Sequence, residues 1–269
     1  MPELPEVETL RRELSQALVG FCIKKVTVNR ASVVKGAPDS LKALNGRAFG
    51  PVLRRAKYLL FTFGEGPTLL AHLGMSGKFI VDQNQTHQGP HDRVVFDLDQ
   101  GRRLIFCEMR CFGFLELAEK VERHPRLSKL GKDPLETLNP NWLKAQWQGR
   151  KKPVKSLLLD QNILAGIGNI YASEILFAAQ IHPQTPGGDL GLKQLSRLLK
   201  ETKRILELAL VHNGTSISDY RRVDDKTGEF QDFLQVYGQA EAPCPVCGAP
   251  IQRLVQSGRS SFFCGHCQK

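Results

Sequence analysis

The chain has 269 residues, enough for one large domain or two ordinary ones. With 41% hydrophobic and 24% charged residues it has a globular composition, and no apolar stretch approaches the ~20 residues of a membrane span. The 37 Lys and Arg against 27 Asp and Glu leave a net charge of +10, which favours a polyanionic partner, nucleic acid before an anionic membrane surface.

The chain opens "MPELPEVET", which has neither the basic start nor the apolar core of a signal peptide. Val7, Leu10, Leu14 and Leu18 then recur at spacings of three and four, which predicts a helix over residues 5–19 with Pro5 in its first turn and Gly20 as its stop. The next hundred residues change period. "CIKKVTV", "VLRRAKYLLFTF", "GKFIV", "RVVFDL", "RRLIFC" and "FGFLEL" read as antiparallel strands of a sandwich or barrel. Beyond residue 120, "NPNWLKAQWQ", "PVKSLLLDQ", "NIYASEILFAAQI" and "LKQLSRLLKETKRILELALVH" read as helices, with Asn169 an N-cap after a Gly-Ile-Gly turn. Such a turn also presents N–H groups to a phosphate. Residues 214–240 form a long, polar connection of the kind that carries functional loops.

The tail contains Cys244, Cys247, Cys264 and Cys267 as two Cys-x-x-Cys pairs separated by sixteen residues. That spacing suits one tetrahedral Zn²⁺ held by two turns joined by a hairpin. With all four positions filled the metal is structural, and His266 is expected to face solvent rather than replace a cysteine. Arg253 and Arg259 lie on the hairpin between the pairs, where an arginine suits a phosphate contact. The expected class is therefore α+β and multidomain: a β-rich part over 1–120, a helical part over 121–240 and a zinc hairpin over 241–269.

The chain resembles the bacterial formamidopyrimidine-DNA glycosylases. The resemblance rests on "PELPEVET" at 2–9, "RRAKYLL" at 54–60, "HLGMSG" at 72–77, "GIGNIYASEILFAAQIHP" at 166–183, "QVYG" at 235–238 and the four cysteines. It implies an N-terminal helix on a two-sheet antiparallel β-sandwich, a helix–two-turn–helix domain and a C-terminal zinc-finger hairpin. It also implies a monomeric, cytoplasmic bacterial enzyme that removes oxidised purines from damaged double-stranded DNA and then cuts the backbone by β,δ-elimination. The alternatives are an oxidised-pyrimidine enzyme of the endonuclease VIII type, a DNA-damage sensor without catalysis, and a zinc-ribbon RNA-associated protein.

The resemblance assigns parts to matching residues. Pro2, freed by loss of Met1, is the nucleophile; Glu3 is the acid/base; Glu6 supports the site, in addition to its natural place at a helix start. A terminal amine suits this role because its pKa of about 7.7–8.0 leaves about a third of it unprotonated at pH 7.4, against about a thousandth of an ordinary lysine. Lys57, which by pattern alone is an exposed strand lysine, and Arg259 are assigned to the phosphates around the lesion. Met75, Arg110 and Phe112 fill the gap left by a flipped nucleotide, although Met75 by its nature would suit a core; His72, His91 and Asn169 contact DNA. The sequence departs from the family pattern at "EMRCFG", 108–113, where Cys111 takes the place of an arginine, and at Gln239, where a basic residue is usual.

Overall fold

Helix α1 (Leu4–Leu18) carries Pro5 in its first turn and is capped at its end by Val19, after which Gly20 turns the chain at φ +89°. Val7, Leu10, Leu14 and Leu18 are all at most 1% exposed, so the expected stripe is the buried face. Burying each such side chain contributes about 1.5–3 kcal/mol. The computed structural model describes residues 1–216, 223 and 227–269.

Nine strands follow: β1 (Ile23–Val28), β2 (Val34–Lys35), β3 (Val52–Arg55), β4 (Tyr58–Phe61), β5 (Thr68–His72), β6 (Lys78–Asp82), β7 (Asp92–Leu98), β8 (Arg103–Cys107) and β9 (Phe114–Ala118). They form a four-stranded sheet in the order β1-β7-β8-β6 and a five-stranded sheet in the order β2-β9-β5-β4-β3. All neighbours are antiparallel except the short β2–β9 pair, which is parallel. The sheets share one core, in which Phe61 of the second packs edge-on against Phe79 of the first at 5.2 Å between ring centres. This is the expected sandwich.

Two details differ from the sequence reading. "VLRRAKYLLFTF" is not one strand but a hairpin, and Ala56 and Lys57 are its two-residue turn. Ala56 takes φ +53°, a conformation that no hydrophobic pattern reveals. β2 and β5 were not anticipated; β5 is central and apolar on both faces, so it lacks the alternation that marks a half-exposed strand.

The remaining elements are α2 (Pro140–Trp147), α3 (Val154–Leu158), α4 (Asn169–Ala178), α5 (Leu192–Val211), and the hairpin of β10 (Gln252–Gln256) and β11 (Arg259–Phe263). Asn139 caps α2, its side chain accepting the Asn141 amide at 2.8 Å. α4 is capped one residue earlier than expected: Gly168 is the N-cap and Asn169 is already helical. In α5, Leu195, Leu198, Thr202, Ile205, Leu206 and Ala209 form the buried stripe.

The chain forms two compact units, 1–128 with 212–231, and 129–211 with 232–269. This differs from a division at 120 and 240, for two reasons visible in the hydrogen bonds. The Thr215 and Val223 amides donate to Glu6 and Glu13 of α1, which draws that stretch into the first unit. The cysteine hairpin shares a core with Phe177 of α4 and Val236, so it belongs with the helices. Residues 217–222 and 224–226 of the connection expected as a functional loop lie outside the described residues.

Candidate active site and nucleic-acid interface

The amino end is tied down rather than frayed. Glu3 is the N-cap of α1, and its amide donates to Oε2 of Glu6 at 2.8 Å, one arm of a capping box. Oε1 of Glu6 accepts the Thr215 amide at 2.7 Å, and a Cβ on Gly214 would lie 2.8 Å from that oxygen. Glycine at 214 thus admits the carboxylate, and its φ of +78° makes the turn. Pro2, Glu3 and Glu6 are all buried, whereas Met1 is 46% exposed. Further along α1, Glu8 pairs with Arg54 of β3 at 3.0 Å and so docks the helix on the sheet. While Met1 is attached, the Pro2 nitrogen is a tertiary amide without nucleophilic character; cleavage of that one bond creates a secondary amine at the start of a rigid helix.

Lys57 is 7% exposed in its hairpin turn, not the exposed strand residue that alternation alone suggests. His72, at the end of β5, stacks on Phe114 at 5.7 Å, and its Nδ1 accepts the Gly74 amide at 3.1 Å. Burial, reinforced by the charges of Lys57 and Arg126, lowers its pKa to about 4, so the ring is neutral at physiological pH.

Two loops of the first unit carry the expected gap-filling residues. Met75 is 40% and Phe112 60% exposed, so neither is a core residue. Arg110 is exposed, its guanidinium 5.1 Å from the centre of the Phe112 ring. A buried carboxylate organises both loops. Glu108, fully buried, accepts from the Ser76 hydroxyl, from the Arg110 amide at 3.0 Å and from the Gly113 amide at 2.8 Å. The loops also touch back to back: a Cβ on Gly74 would lie 2.3 Å from the Gly113 nitrogen. Glu108 was not singled out from sequence, where it reads as one more acidic surface residue. Cys111 packs partly against the sandwich core and takes φ +55°. The Nδ1 of His91 pairs with the Arg93 guanidinium at 3.0 Å, and Arg93 Nε donates to the Glu108 carbonyl at 2.7 Å. Arginine is always a donor, so His91 keeps its proton on Nε2.

In the second unit the Gly-Ile-Gly turn leads into α4, and Asn169 Nδ2 donates to the Ser260 carbonyl at 3.0 Å. The same carbonyl accepts Lys155 Nζ at 2.8 Å, and that ammonium also reaches the Ser261 hydroxyl at 2.8 Å. Lys155, 1% exposed, was not picked out from the sequence, because "PVKSLLL" looks like an ordinary helix start. Together Asn169 and Lys155 fix β11 on the helical frame. Ser257 and Gly258 turn the hairpin at φ +48° and +74°, a left-handed pair that suits a two-residue loop. Arg259 follows at once and is exposed; Arg253 is exposed too, with its Nε on the Ser260 hydroxyl at 3.0 Å.

Below the hairpin, the sulfurs of Cys244, Cys247, Cys264 and Cys267 all lie within 4.8 Å of one another, with Cys244–Cys267 at 3.9 Å and Cys247–Cys264 at 3.5 Å. Tetrahedral Zn–S bonds of about 2.3 Å require S···S separations of about 3.8 Å. The four cysteines therefore fit a structural zinc, and exposed His266 is outside the set. The "QVYG" stretch also has a structural explanation. The amides of Gln235, Val236 and Tyr237 converge on the buried Glu174 carboxylate at 2.8–3.0 Å. Burial pushes that carboxyl pKa up, against the three amides that favour its charge.

Known proteins match along the whole chain. Residues 1–115 match the family model for the formamidopyrimidine-DNA glycosylase N-terminal domain, 130–221 its H2TH domain, and 242–269 the zinc finger found in FPG and IleRS. Formamidopyrimidine-DNA glycosylases from Rhodospirillum rubrum and Paracoccus denitrificans are each 41% identical over 281 aligned residues, covering 100% of both chains. Among solved structures, a Lactococcus lactis FPG mutant in complex with a Fapy-dG containing DNA superposes with a TM-score of 0.93 at 34% identity, covering 100% of both chains. The Lactococcus lactis Fpg bound to an abasic site containing DNA gives 0.92 at 34% identity over 99% of each. Sandwich, helical region and cysteine hairpin are thus matched in one order, over the full length, and the chain belongs to the formamidopyrimidine-DNA glycosylase family.

Proposed function

We propose that the protein is a DNA glycosylase that excises oxidised purines from duplex DNA and then cleaves the strand as a lyase, with Pro2 as its nucleophile. The observation that carries this reading is the anchored amino end. Glu6 holds the Glu3 and Thr215 amides at 2.8 and 2.7 Å, so a terminal secondary amine sits at a fixed place instead of on a mobile tail.

The reaction follows from that amine. Once Met1 is gone, the Pro2 nitrogen attacks C1′ of the damaged nucleotide and the C1′–base bond breaks, the departing base taking up the proton that the Pro2 nitrogen loses. Glu3, as a protonated acid, gives its proton to the ring oxygen as the sugar opens, which leaves a cationic iminium between Pro2 and C1′. The iminium is the electron sink for loss of a C2′ proton and departure of the 3′ phosphate; a second elimination releases the 5′ phosphate. Glu6, already committed to two amides, is a positioning residue whose negative charge also favours the iminium. Lys57, His91, Asn169 and Arg259 serve the phosphodiester backbone; Met75 and Phe112 fill the vacated stack and Arg110 faces the orphaned base. His72, with Nδ1 occupied and its ring stacked, supports the loop after β5 and is a weaker candidate for direct contact. The zinc fixes the hairpin that presents Arg259 and takes no part in proton or electron transfer.

The test is incubation with duplexes carrying an 8-oxoguanine or an oxidised pyrimidine, in the presence of borohydride. The reading requires a trapped protein–DNA adduct on the oxidised purine, mapped to Pro2. A preference for the pyrimidine would reassign the substrate class. An active protein that retains Met1 would remove Pro2 from the mechanism.

A further inference from the structure

At the end of β7 and β8 opposite the turn that joins them, three side chains of metal-ligating type converge, and the proposed catalysis uses none of them. Asp92 opens β7 and Cys107 closes β8, and the two are cross-strand partners in the sheet register. The Cys107 thiol donates to Asp92 Oδ1 at 3.0 Å. His87, from the loop between β6 and β7, brings Nε2 to 3.0 Å from the same oxygen and 4.0 Å from the Cys107 sulfur.

His87 is held there by its backbone. Its amide donates to Asp82 Oδ2 at 3.1 Å, and its carbonyl accepts Arg103 at 2.8 Å. Asp92 Oδ2 accepts the Gly89 amide at 3.0 Å, which fixes the carboxylate and leaves Oδ1 facing the other two groups. Cys107 is 6% exposed, while the His87 side chain is 31% exposed, so the cluster is built on a buried floor with one open side.

We propose that His87, Asp92 and Cys107 form a second divalent transition-metal site, which takes Zn²⁺ or Co²⁺ through one nitrogen, one oxygen and one sulfur, with water in the fourth position. A tetrahedral zinc with ordinary bond lengths needs ligand separations of about 3.4–3.6 Å, and the observed 3.0, 3.0 and 4.0 Å reach that arrangement by sub-ångström shifts. The donor set is mixed and borderline-soft, which disfavours Mg²⁺ and Ca²⁺. On binding, the ion replaces the thiol proton of Cys107, which passes to water, and His87 ligates through a neutral Nε2. Without metal the same groups close as a hydrogen-bonded corner, so the site needs no ion to fold.

Its position gives the ion a consequence. His91 precedes Asp92 directly, and Glu108 follows Cys107 directly. A bound ion therefore clamps together the origins of the loop carrying His91 and the loop carrying Arg110 and Phe112. The site is separate from the cysteine hairpin, which lies in the other unit of the chain.

The experiment adds Co²⁺ to protein whose hairpin is already filled with zinc. The expected result is one further equivalent bound, with a thiolate-to-cobalt charge-transfer band that is absent in Cys107→Ser and retained in Cys111→Ser and Cys22→Ser. His87→Gln, a change on a partly exposed loop, is expected to weaken the band's apparent affinity at least tenfold while the hairpin zinc stays bound. This second variant decides the matter should Cys107→Ser not fold. No band in the parent protein, or a band that survives both Cys107→Ser and His87→Gln, overturns the proposal.

Discussion

Glu6 Oε1 accepts the amide of Thr215 at 2.7 Å, a bond between residues 209 positions apart. It closes the first unit over the amino end through a carboxylate whose places at the helix start and in the site are legible in the sequence, but whose partner at residue 215 is not. Glu6→Ala leaves two buried amides without an acceptor, at about 1–3 kcal/mol for each group left unpaired. Urea melts should show that loss, and borohydride trapping should fall with it. Glu6→Gln keeps one acceptor oxygen but turns an NH₂ toward the other amide, so its loss should be intermediate.

Met75 and Phe112 separate a wedge from a core residue by a single comparison. Because both are exposed, Met75→Ala should leave stability within about 0.5 kcal/mol of the parent, as for other surface changes. Excision from duplex DNA should still slow, while cleavage at a pre-formed abasic site, where no base remains to be flipped, should suffer less. A thermal melt and rates on the two substrates provide the check. Equal loss on both substrates together with a large drop in stability would remove the wedge role.

Glu108→Ala removes the shared acceptor of Ser76, Arg110 and Gly113. The Ser76 hydroxyl and the Gly113 amide are then stranded, while the Arg110 amide keeps the Ser76 oxygen at 3.2 Å, and the expected cost is at least about 2 kcal/mol. The pattern of activity should resemble that of the Met75 and Phe112 variants, because both loops lose their register. The distinguishing measurement is stability, which falls here and holds there.

His72 makes stability depend on pH. Its folded pKa, about 4, lies below the ordinary 6.5, so between these values the unfolded chain binds more protons than the folded one. Stability contributed by the neutral ring is present above pH 6.5 and is lost as pH falls toward 4, by up to roughly 3 kcal/mol for a shift of this size. Denaturant melts from pH 7 to 4 should show this slope, and His72→Gln should flatten it.

In the hairpin, Cys244→Ser should release the structural zinc and weaken DNA binding, since the strand carrying Arg259 loses its support. Arg259→Ala should keep the zinc, weaken binding to all sequences alike and reduce the salt slope by about one unit. Metal analysis and binding isotherms at several salt concentrations measure both.

Local features of this protein could be read from its residues alone. The Leu stripe of α1, most strands of the sandwich, the α5 stripe and the four-cysteine zinc site are periodic or closely spaced, so the chain itself carries their signal. The tertiary structure decided what depends on partners far away. Lys57 proved to be a turn residue because Ala56 adopts a left-handed conformation that registers β3 against β4. β5 was hidden because a central strand, covered on both faces, has no alternation. Glu108, Lys155 and Glu174 look like surface charges in the sequence, yet each is at most 1% exposed and organises a loop, a hairpin or a motif through hydrogen bonds. A charged side chain becomes buried only where other parts of the chain supply its partners, and those partners, up to 106 positions away for Lys155, are settled by packing rather than by spacing.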